Sequence, residues 1–313
     1  MLRWLLVTVL LGVIGMLAGT GTAWAHAGGL TSSSNEPAVL GLQPPVPGLD
    51  VRVVEFGARI RLTNHTGARV AVVPPPGTVI NLLPVVAPGM AGLWSDPRIA
   101  EAAARPRPPD DRLAWRIPLL VGDAPVTVLG EQRWPPPPPA GLWWLLTALA
   151  VAAPAVLVAL GSRDQSEEQR AGWSLGARIV LAAATLILIS AHVIHILGSA
   201  LVPAEGALVW VFLSAAGFAV LGWPIGLVGV YTTLRGQPAG PLLCLVTGTL
   251  IAVIISPADI FSFHDAVVPF AWGADFDRAL IVLNVGGGLG VVCAATILMR
   301  RAPVPVAAEE PCV

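Results

Sequence analysis

Two histidines stand three residues apart within a strongly apolar stretch of the sequence. His192 and His195 occur in "ISAHVIHILGS", and their spacing places both on one face of a helix. Asp259 ends another apolar stretch, and counting 1.5 Å per residue along each helix predicts that the acid and the histidines lie at the same depth. Ionisable groups in lipid need partners, so we expect the three side chains to converge. Imidazole with carboxylate suits Zn, Cu or Fe, and the sequence therefore predicts a transition-metal site here.

Two further histidines are candidate ligands of the same metal. His264 lies among acids and aromatic residues in the loop "FSFHDAVVPFAWGADFD". His26 follows the small-x-small motif Ala23-Trp24-Ala25, and cleavage there would free an amine and a ring on one residue. Such nitrogen-rich chelation suits Cu(II), which tops the divalent affinity series. We therefore expect copper, with its ligands drawn from His26, His192, His195, Asp259 and His264.

Other interpretations of the paired histidines stay open. His192 and His195 can hydrogen-bond across helices and fix their packing, or they can relay protons. A haem is disfavoured because two axial ligands lie on opposite faces of the ring, whereas residues three apart share one helix face. The sequence contains no His-Glu-x-x-His, Gly-x-Ser-x-Gly or phosphate-loop motif, so we do not expect an enzyme.

Composition indicates that these residues belong to a membrane protein. The 313 residues are 55% hydrophobic and 12% charged, with a mean hydropathy of +0.75. The 18 basic residues, all arginine, nearly balance 19 acidic ones, which gives no support for nucleic-acid binding. Five segments are long enough to cross a lipid bilayer: Leu142–Leu160, Ala177–Ser199, Ala207–Tyr231, Leu242–Phe261 and Ala279–Met299.

Two features predict how the chain is oriented in the membrane. Residues 1–25 have the basic start, apolar run and small-residue cleavage motif of a signal peptide, although an uncut anchor stays open. Six arginines fall on one side of the five segments, and the positive-inside rule makes that side cytoplasmic. Residues 26–140 are then extracytoplasmic, and residues 301–313 form a cytoplasmic tail. The arginines are Arg163, Arg170, Arg178, Arg235, Arg300 and Arg301.

The segment before the spans has the pattern of an all-β domain. In "ARIRLTN", Ile60 and Leu62 alternate with Arg59 and Arg61, and similar short runs separated by turn residues follow, among them "TVINLL". About 85 residues of this kind predict an immunoglobulin-like sandwich over residues 26–134, interrupted by one short helix that begins near Pro97. Residues 135–140 form a stiff polyproline linker. Residues 141–300 form the α-helical bundle of five spans.

A resemblance supports this layout. The runs "PGLDVRVVEFGARIRLTNHTG" and "WRIPLLVG", followed by a Trp-Pro-Pro junction into the first span, resemble a group of uncharacterised actinobacterial membrane proteins. In that group a signal peptide precedes a mature start of the His-Gly or His-Ala type. The resemblance implies an exported domain followed by a multi-span domain, and it implies no activity. Members carry a His-rich stretch where this chain has "GLWSDPRIAEAAARPRPPDD", which contains no histidine.

The sequence thus leads to two functional hypotheses. The first is an integral cell-envelope protein that handles copper at the outer face of the membrane. The alternative is an interaction or scaffold module, whose exported domain recruits an envelope partner or joins a larger membrane complex.

Overall fold

The computed structural model describes residues 30–77, 83–161, 173–203 and 205–301. The predicted signal peptide, His26 and the predicted cytoplasmic tail lie outside these residues, as does most of the run "TVINLL". The described part of the chain has a β domain followed by a helical domain, in the order that the sequence predicts.

Two antiparallel sheets make up the β domain. The strands in one sheet follow the order β1-β8-β7-β4-β5, and those in the other follow the order β2-β3-β6. The alternation predicted for β3 is present, because Ile60 and Leu62 are buried while Arg61 is exposed. Buried side chains of both sheets form one apolar core, which includes Trp94 and Trp115. The strands are β1 Glu36–Gln43, β2 Leu49–Val54, β3 Arg59–Asn64, β4 Val70–Val72, β5 Val85–Val86, β6 Ala91–Trp94, β7 Arg112–Val121 and β8 Ala124–Arg133.

One short helix, α1 (Pro97–Ala103), interrupts the strands where the sequence predicts it. Asp96 caps the helix, since its side chain accepts a hydrogen bond from the backbone N–H of Arg98 at 3.0 Å. Pro97 occupies the first helical position, where its missing N–H costs no hydrogen bond.

The helical domain contains four helical stretches that are long and apolar enough to span a membrane, counted over the described residues. A bent pair, α4 and α5, covers the third of the five predicted segments and gives a fifth candidate if the pair counts as one span. Gly217, at φ 49° and ψ −128°, lies at the 73° bend, which the sequence did not predict. The α-helices are α2 Ala140–Gly161, α3 Leu175–Ala200, α4 Leu208–Ala216, α5 Ala219–Leu234, α6 Ala239–Thr249, α7 Ala274–Ile281 and α8 Gly288–Arg300.

Small residues let α8 approach α2 closely. A Cβ added to Gly286 would lie 2.6 Å from the carbonyl oxygen of Thr147, and one added to Gly290 would lie 2.7 Å from that of Ala150. The glycines in "NVGGGLG" therefore serve helix packing, as small residues four apart do in membrane proteins.

The two domains touch at one end of the helical bundle. Ser33 and Val267 exchange two backbone hydrogen bonds of 2.9 Å, and the Ser32 hydroxyl donates to Asp265 at 2.6 Å. Arg59 of β3 pairs with Glu205 across the same contact, at 3.3 Å. We call this end of the bundle the β side and the opposite end, where α3 begins at Leu175, the far side.

Candidate functional site

His195 lies between two carboxylates inside the helical domain. Its Nδ1 is 2.7 Å from Oδ1 of Asp277, which is a hydrogen bond, and its Nε2 is 3.6 Å from Oδ2 of Asp259. The second distance allows an ion pair but is too long for a hydrogen bond. All three residues are at most 4% exposed. We call His195, Asp259 and Asp277 the His195 cluster.

His192 adjoins the cluster one helical turn towards the far side. The centroids of the His192 and His195 rings are 6.4 Å apart. Nδ1 of His192 accepts a hydrogen bond of 3.2 Å from the indole N–H of Trp223, so the neutral ring carries its proton on Nε2. His192 is 0% exposed, and this Nε2 has no hydrogen-bond partner among the described residues.

Breaks in two spans bring the carboxylates to this position. After Thr249 the α6 helix continues as a π-helical segment, Leu250–Ile255, and then as a 3₁₀ segment, Ser256–Phe263. Pro257 lacks the N–H that a regular helix would need at the junction, and 3₁₀ geometry aligns Ser256 with Asp259. A second π segment, Val282–Gly287, separates α7 from α8. Such π segments frequently mark functional sites, and broken spans often form binding sites.

Arg278 connects the cluster to the contact between the domains. Its guanidinium donates to the carbonyl oxygens of Ser262 at 2.8 Å and Asp265 at 2.7 Å, and to the Asp275 carboxylate at 2.6 Å. It therefore fixes the loop that follows the 3₁₀ segment, and Asp265 of that loop also receives the Ser32 hydroxyl. Asp277, the neighbour of Arg278 in the chain, bonds to His195.

The cluster places two carboxylates beside one imidazole, so the three side chains sum to −1 when both acids are ionised and the ring is protonated. Arg278 is a further buried positive charge next to Asp277, and its hydrogen bonds go to the exposed Asp275 and to backbone carbonyls. Buried charges are costly unless compensated, so the protonation of each group affects the others. An imidazole between two carboxylates can exchange a proton with them.

The structure gathers only part of the predicted ligand set. His192, His195 and Asp259 come together as expected, whereas His264 is exposed and its Nε2 lies 3.4 Å from the indole nitrogen of Trp144. His26 lies outside the described residues. Across the described ranges no group of three His, Cys, Asp or Glu side chains is arranged to hold a metal ion. Both ring nitrogens of His195 lie towards carboxylates, which leaves Nε2 of His192 as the free imidazole nitrogen of the pair.

Sequence reasoning did not select Asp277, Trp223 or Asn284. Asp277 stands in an acid-rich loop in the sequence, but α7 begins at Ala274 and turns this acid into the bundle. The adjacent Arg278 in "DFDR" could have indicated that Asp277 is buried, since an acid-base pair at the start of a span often has buried partners. The role of Trp223 as a hydrogen-bond donor to His192 depends on the packing of α5 against α3, which the sequence does not reveal.

A separate cleft of about 300 Å³ lies between the domains. Glu55 and Arg59 line one wall, and Val267 and Pro269 contribute to the other. The two Arg59–Glu55 hydrogen bonds, 2.5 and 2.7 Å, raise the pKa of Arg59 and hold the Glu55 carboxylate in place. The cleft is the concave surface that both domains share, and the interaction hypothesis would place a partner there.

Comparison of the chain with protein-family models, with curated proteins and with solved structures finds no match. The resemblance to the actinobacterial group therefore stays a prediction, and the functional argument rests on the geometry of the site.

Proposed function

We propose that this is an integral membrane protein that binds and releases a proton at the His195 cluster. The observation that carries the proposal is one imidazole flanked by two carboxylates, all at most 4% exposed. Exchange of a proton is the simplest way for such a site to change its charge without unfolding. The charged or titratable neighbours are His192 on α3, Asp259 on the 3₁₀ segment, and Asp277 and Arg278 on α7.

The three residues of the cluster have different parts in proton exchange. Asp277 accepts the hydrogen bond from Nδ1 and fixes the orientation of the ring. Nε2 then points towards Asp259, and the proton passes between Nε2 and Oδ2 when the 3.6 Å gap closes. Trp223 holds the neighbouring His192 with Nδ1 as acceptor, which keeps that ring uncharged beside His195.

The predicted orientation gives this exchange a direction. The predicted signal peptide and the arginine distribution favour a β domain outside the cell, as the exported immunoglobulin-like module that the sequence predicts. The cluster lies on the β side, so it would exchange protons with the extracytoplasmic medium. The loop after the 3₁₀ segment, which Arg278 fixes, contacts Ser32 and Ser33 of the β domain. A change in cluster charge can therefore alter the contact between the β domain and the bundle.

Histidine NMR tests the proposal directly. The full-length protein, labelled with ¹⁵N-histidine and purified in detergent, is titrated from about pH 5 to about pH 9, and the His195→Gln variant assigns the resonance. We expect the His195 resonance to change protonation state within this range and the Asp259→Asn variant to shift its midpoint. Asp123→Asn, which changes an exposed acid in the turn between β7 and β8, is the control and should leave the midpoint unchanged. A His195 resonance with one constant chemical shift in the wild-type protein would contradict the proposal.

Copper handling is the second candidate function. The observation in its favour is the buried imidazole of His192, whose Nε2 has no hydrogen-bond partner among the residues that the structure describes. Binding of a metal at Nε2 requires loss of the proton from that nitrogen. Metal analysis of the purified protein tests this candidate, and loss of copper in His192→Leu would assign the site. A version with one extra residue before His26 tests the predicted amino-terminal chelate, because only a free terminal amine can bind with the ring.

A further inference from the structure

Asn284 is the least satisfied polar side chain of the bundle. It is 0% exposed, and neither its Oδ1 nor its Nδ2 has a hydrogen-bond partner among the described residues. It lies in the π-helical segment Val282–Gly287, which packs against α2, α3 and the other π segment. Two orphaned amide atoms cost about 1–3 kcal/mol each, so this position needs an explanation.

Asn284 lies directly beyond the His195 cluster, towards the far side. It follows Asp277 by seven residues, which corresponds to about 10 Å along the helix. The same step along α3 leads from His195 to Leu188, so His192 lies between the cluster and the level of Asn284. The unpartnered Nε2 of His192 and the unpartnered Asn284 amide therefore occupy neighbouring depths on one side of the cluster.

We propose that Asn284 and His192 bind water inside the bundle and that this water completes the proton site at His195. Buried polar groups that lack protein partners are usually hydrogen-bonded to ordered water, which needs two to four such partners. An amide offers donors and an acceptor, and Nε2–H of His192 offers one more donor. The inference rests on the proposed proton-binding function, because this water would solvate the charge that His195 gains when it takes up a proton from the β side.

Apolar side chains limit the water site towards the far side. Leu181, Leu188, Ile251 and Val291 are each 0% exposed and belong to one core cluster; Leu188 lies at the level of Asn284, and Leu181 lies two helical turns farther towards the far side. Cys244 lies in the same cluster, seven residues before Ile251 along the span. The buried Thr185 hydroxyl among them already donates to the carbonyl oxygen of Leu181 at 2.9 Å. We therefore expect the site to exchange protons with the β side alone and not to conduct them across the membrane.

Radiolytic footprinting of the full-length protein in detergent tests for the water. Hydroxyl radicals generated by X-rays from bound water oxidise adjacent side chains, and mass spectrometry locates the products. We expect oxidation of the buried His192 in the wild-type protein and loss of that oxidation in Asn284→Leu. Thr296→Val, which removes a hydroxyl from α8, is the control, and His192 should still be oxidised in this variant. Cys244 should stay unmodified although its thiol is intrinsically reactive.

The outcomes separate this inference from the proposed function. Absence of His192 oxidation in the wild-type protein overturns the water site even when the His195 resonance titrates, and it does so whether or not the variant folds. Oxidation of His192 with a His195 resonance that does not titrate overturns the proton function and leaves the water site. Proteoliposomes that carry the wild-type protein and an internal pH dye should show no added proton leak, and a protein-dependent leak would overturn the one-sided access.

Discussion

Each domain buries one asparagine completely, and the two differ in every hydrogen bond. In the β domain, the Asn64 amide donates to the carbonyl oxygens of Ala68 and Val86 at 2.9 and 3.0 Å. Its Oδ1 accepts from the backbone N–H and the hydroxyl of Thr66. In the helical domain, Asn284 is equally buried and has none of these contacts among the described residues. Asn64 thus organises the turn after β3, whereas the Asn284 amide holds no other described residue in place.

The buried carboxylates repeat this difference. Asp96 receives hydrogen bonds from two nitrogens of the Arg98 side chain, from the Arg98 backbone and from Trp94, all between 2.8 and 3.1 Å. Asp277 shares His195 with Asp259, and its Oδ2 has no hydrogen-bond partner in the described part of the chain. A carboxylate with its own arginine and a helix to cap is structural. Asp277 has no arginine of its own and shares one imidazole with another acid.

The largest effect is expected where the shared imidazole is removed. His195→Leu leaves Asp259 and Asp277 buried without their cation, which should lower the free energy of unfolding by about 3–5 kcal/mol. Thermal unfolding of the full-length protein in detergent measures the change. The triple variant His195→Leu, Asp259→Leu, Asp277→Leu should recover most of the loss, because it removes every charge of the cluster. A triple variant as unstable as the single variant would show that packing around the ring, rather than charge, holds the site.

The second-largest loss of stability is expected for Asn64→Leu. Asn64→Leu removes four hydrogen bonds and takes a donor from the Ala68 and Val86 carbonyl oxygens, of which that of Ala68 keeps the Thr66 hydroxyl at 3.1 Å. We expect a loss of roughly 3 kcal/mol, since each orphaned group keeps its full desolvation cost. Chemical denaturation followed by tryptophan fluorescence reports this loss through Trp94 and Trp115 of the β-domain core. A change below about 1 kcal/mol would mean that Asn64 is dispensable for the turn.

Asn284→Leu should change stability much less than Asn64→Leu, or should raise it. The substitution exchanges an amide without protein partners for an apolar side chain of similar volume, so stability should stay within about 1 kcal/mol of the wild type or rise. Thermal unfolding in the same detergent makes the comparison with Asn64→Leu direct. A loss as large as that of Asn64→Leu would show that the amide has protein partners after all, and would remove the difference between the two domains.

The depth of the cluster followed from the sequence because helical rise is regular. His192, His195 and Asp259 could be placed at one level by counting residues from the polar ends of two apolar stretches. The strand alternation in β3 and the capped helix at Pro97 were equally predictable, since both depend on local spacing and backbone chemistry. These features need no knowledge of which element packs against which.

Other parts of the site depend on contacts between distant segments. Asp277 reads as a loop acid until α7 packs against α3, 82 residues earlier in the chain. The π segments at Leu250–Ile255 and Val282–Gly287 could not be predicted, because their composition does not differ from that of an α-helical span. His264 was predicted as a metal ligand because its loop lies on the outer side of the helical domain among carboxylates; in the structure this exposed ring follows the 3₁₀ segment, with Nε2 3.4 Å from the indole nitrogen of Trp144.

The smallest effect on stability is expected at Asp111, an exposed carboxylate of the β domain that contrasts with the buried carboxylates Asp96 and Asp277. Arg107 donates to it at 2.5 Å, and both side chains are about half exposed. That hydrogen bond lowers the pKa of Asp111 below its usual 3.8.

A lowered folded-state pKa contributes stability above the unfolded-state pKa, and this contribution disappears as the pH falls through the folded-state value. Asp111→Asn keeps the backbone conformation at φ 58°, which asparagine tolerates, and removes only the charge. The unfolding midpoints of variant and wild type should therefore differ slightly at about pH 6 in low salt and coincide at about pH 3, because water and salt screen the exposed pair. A difference that grows on acidification would contradict the assigned partner, since protonated Asp111 has no charge with which to hold Arg107.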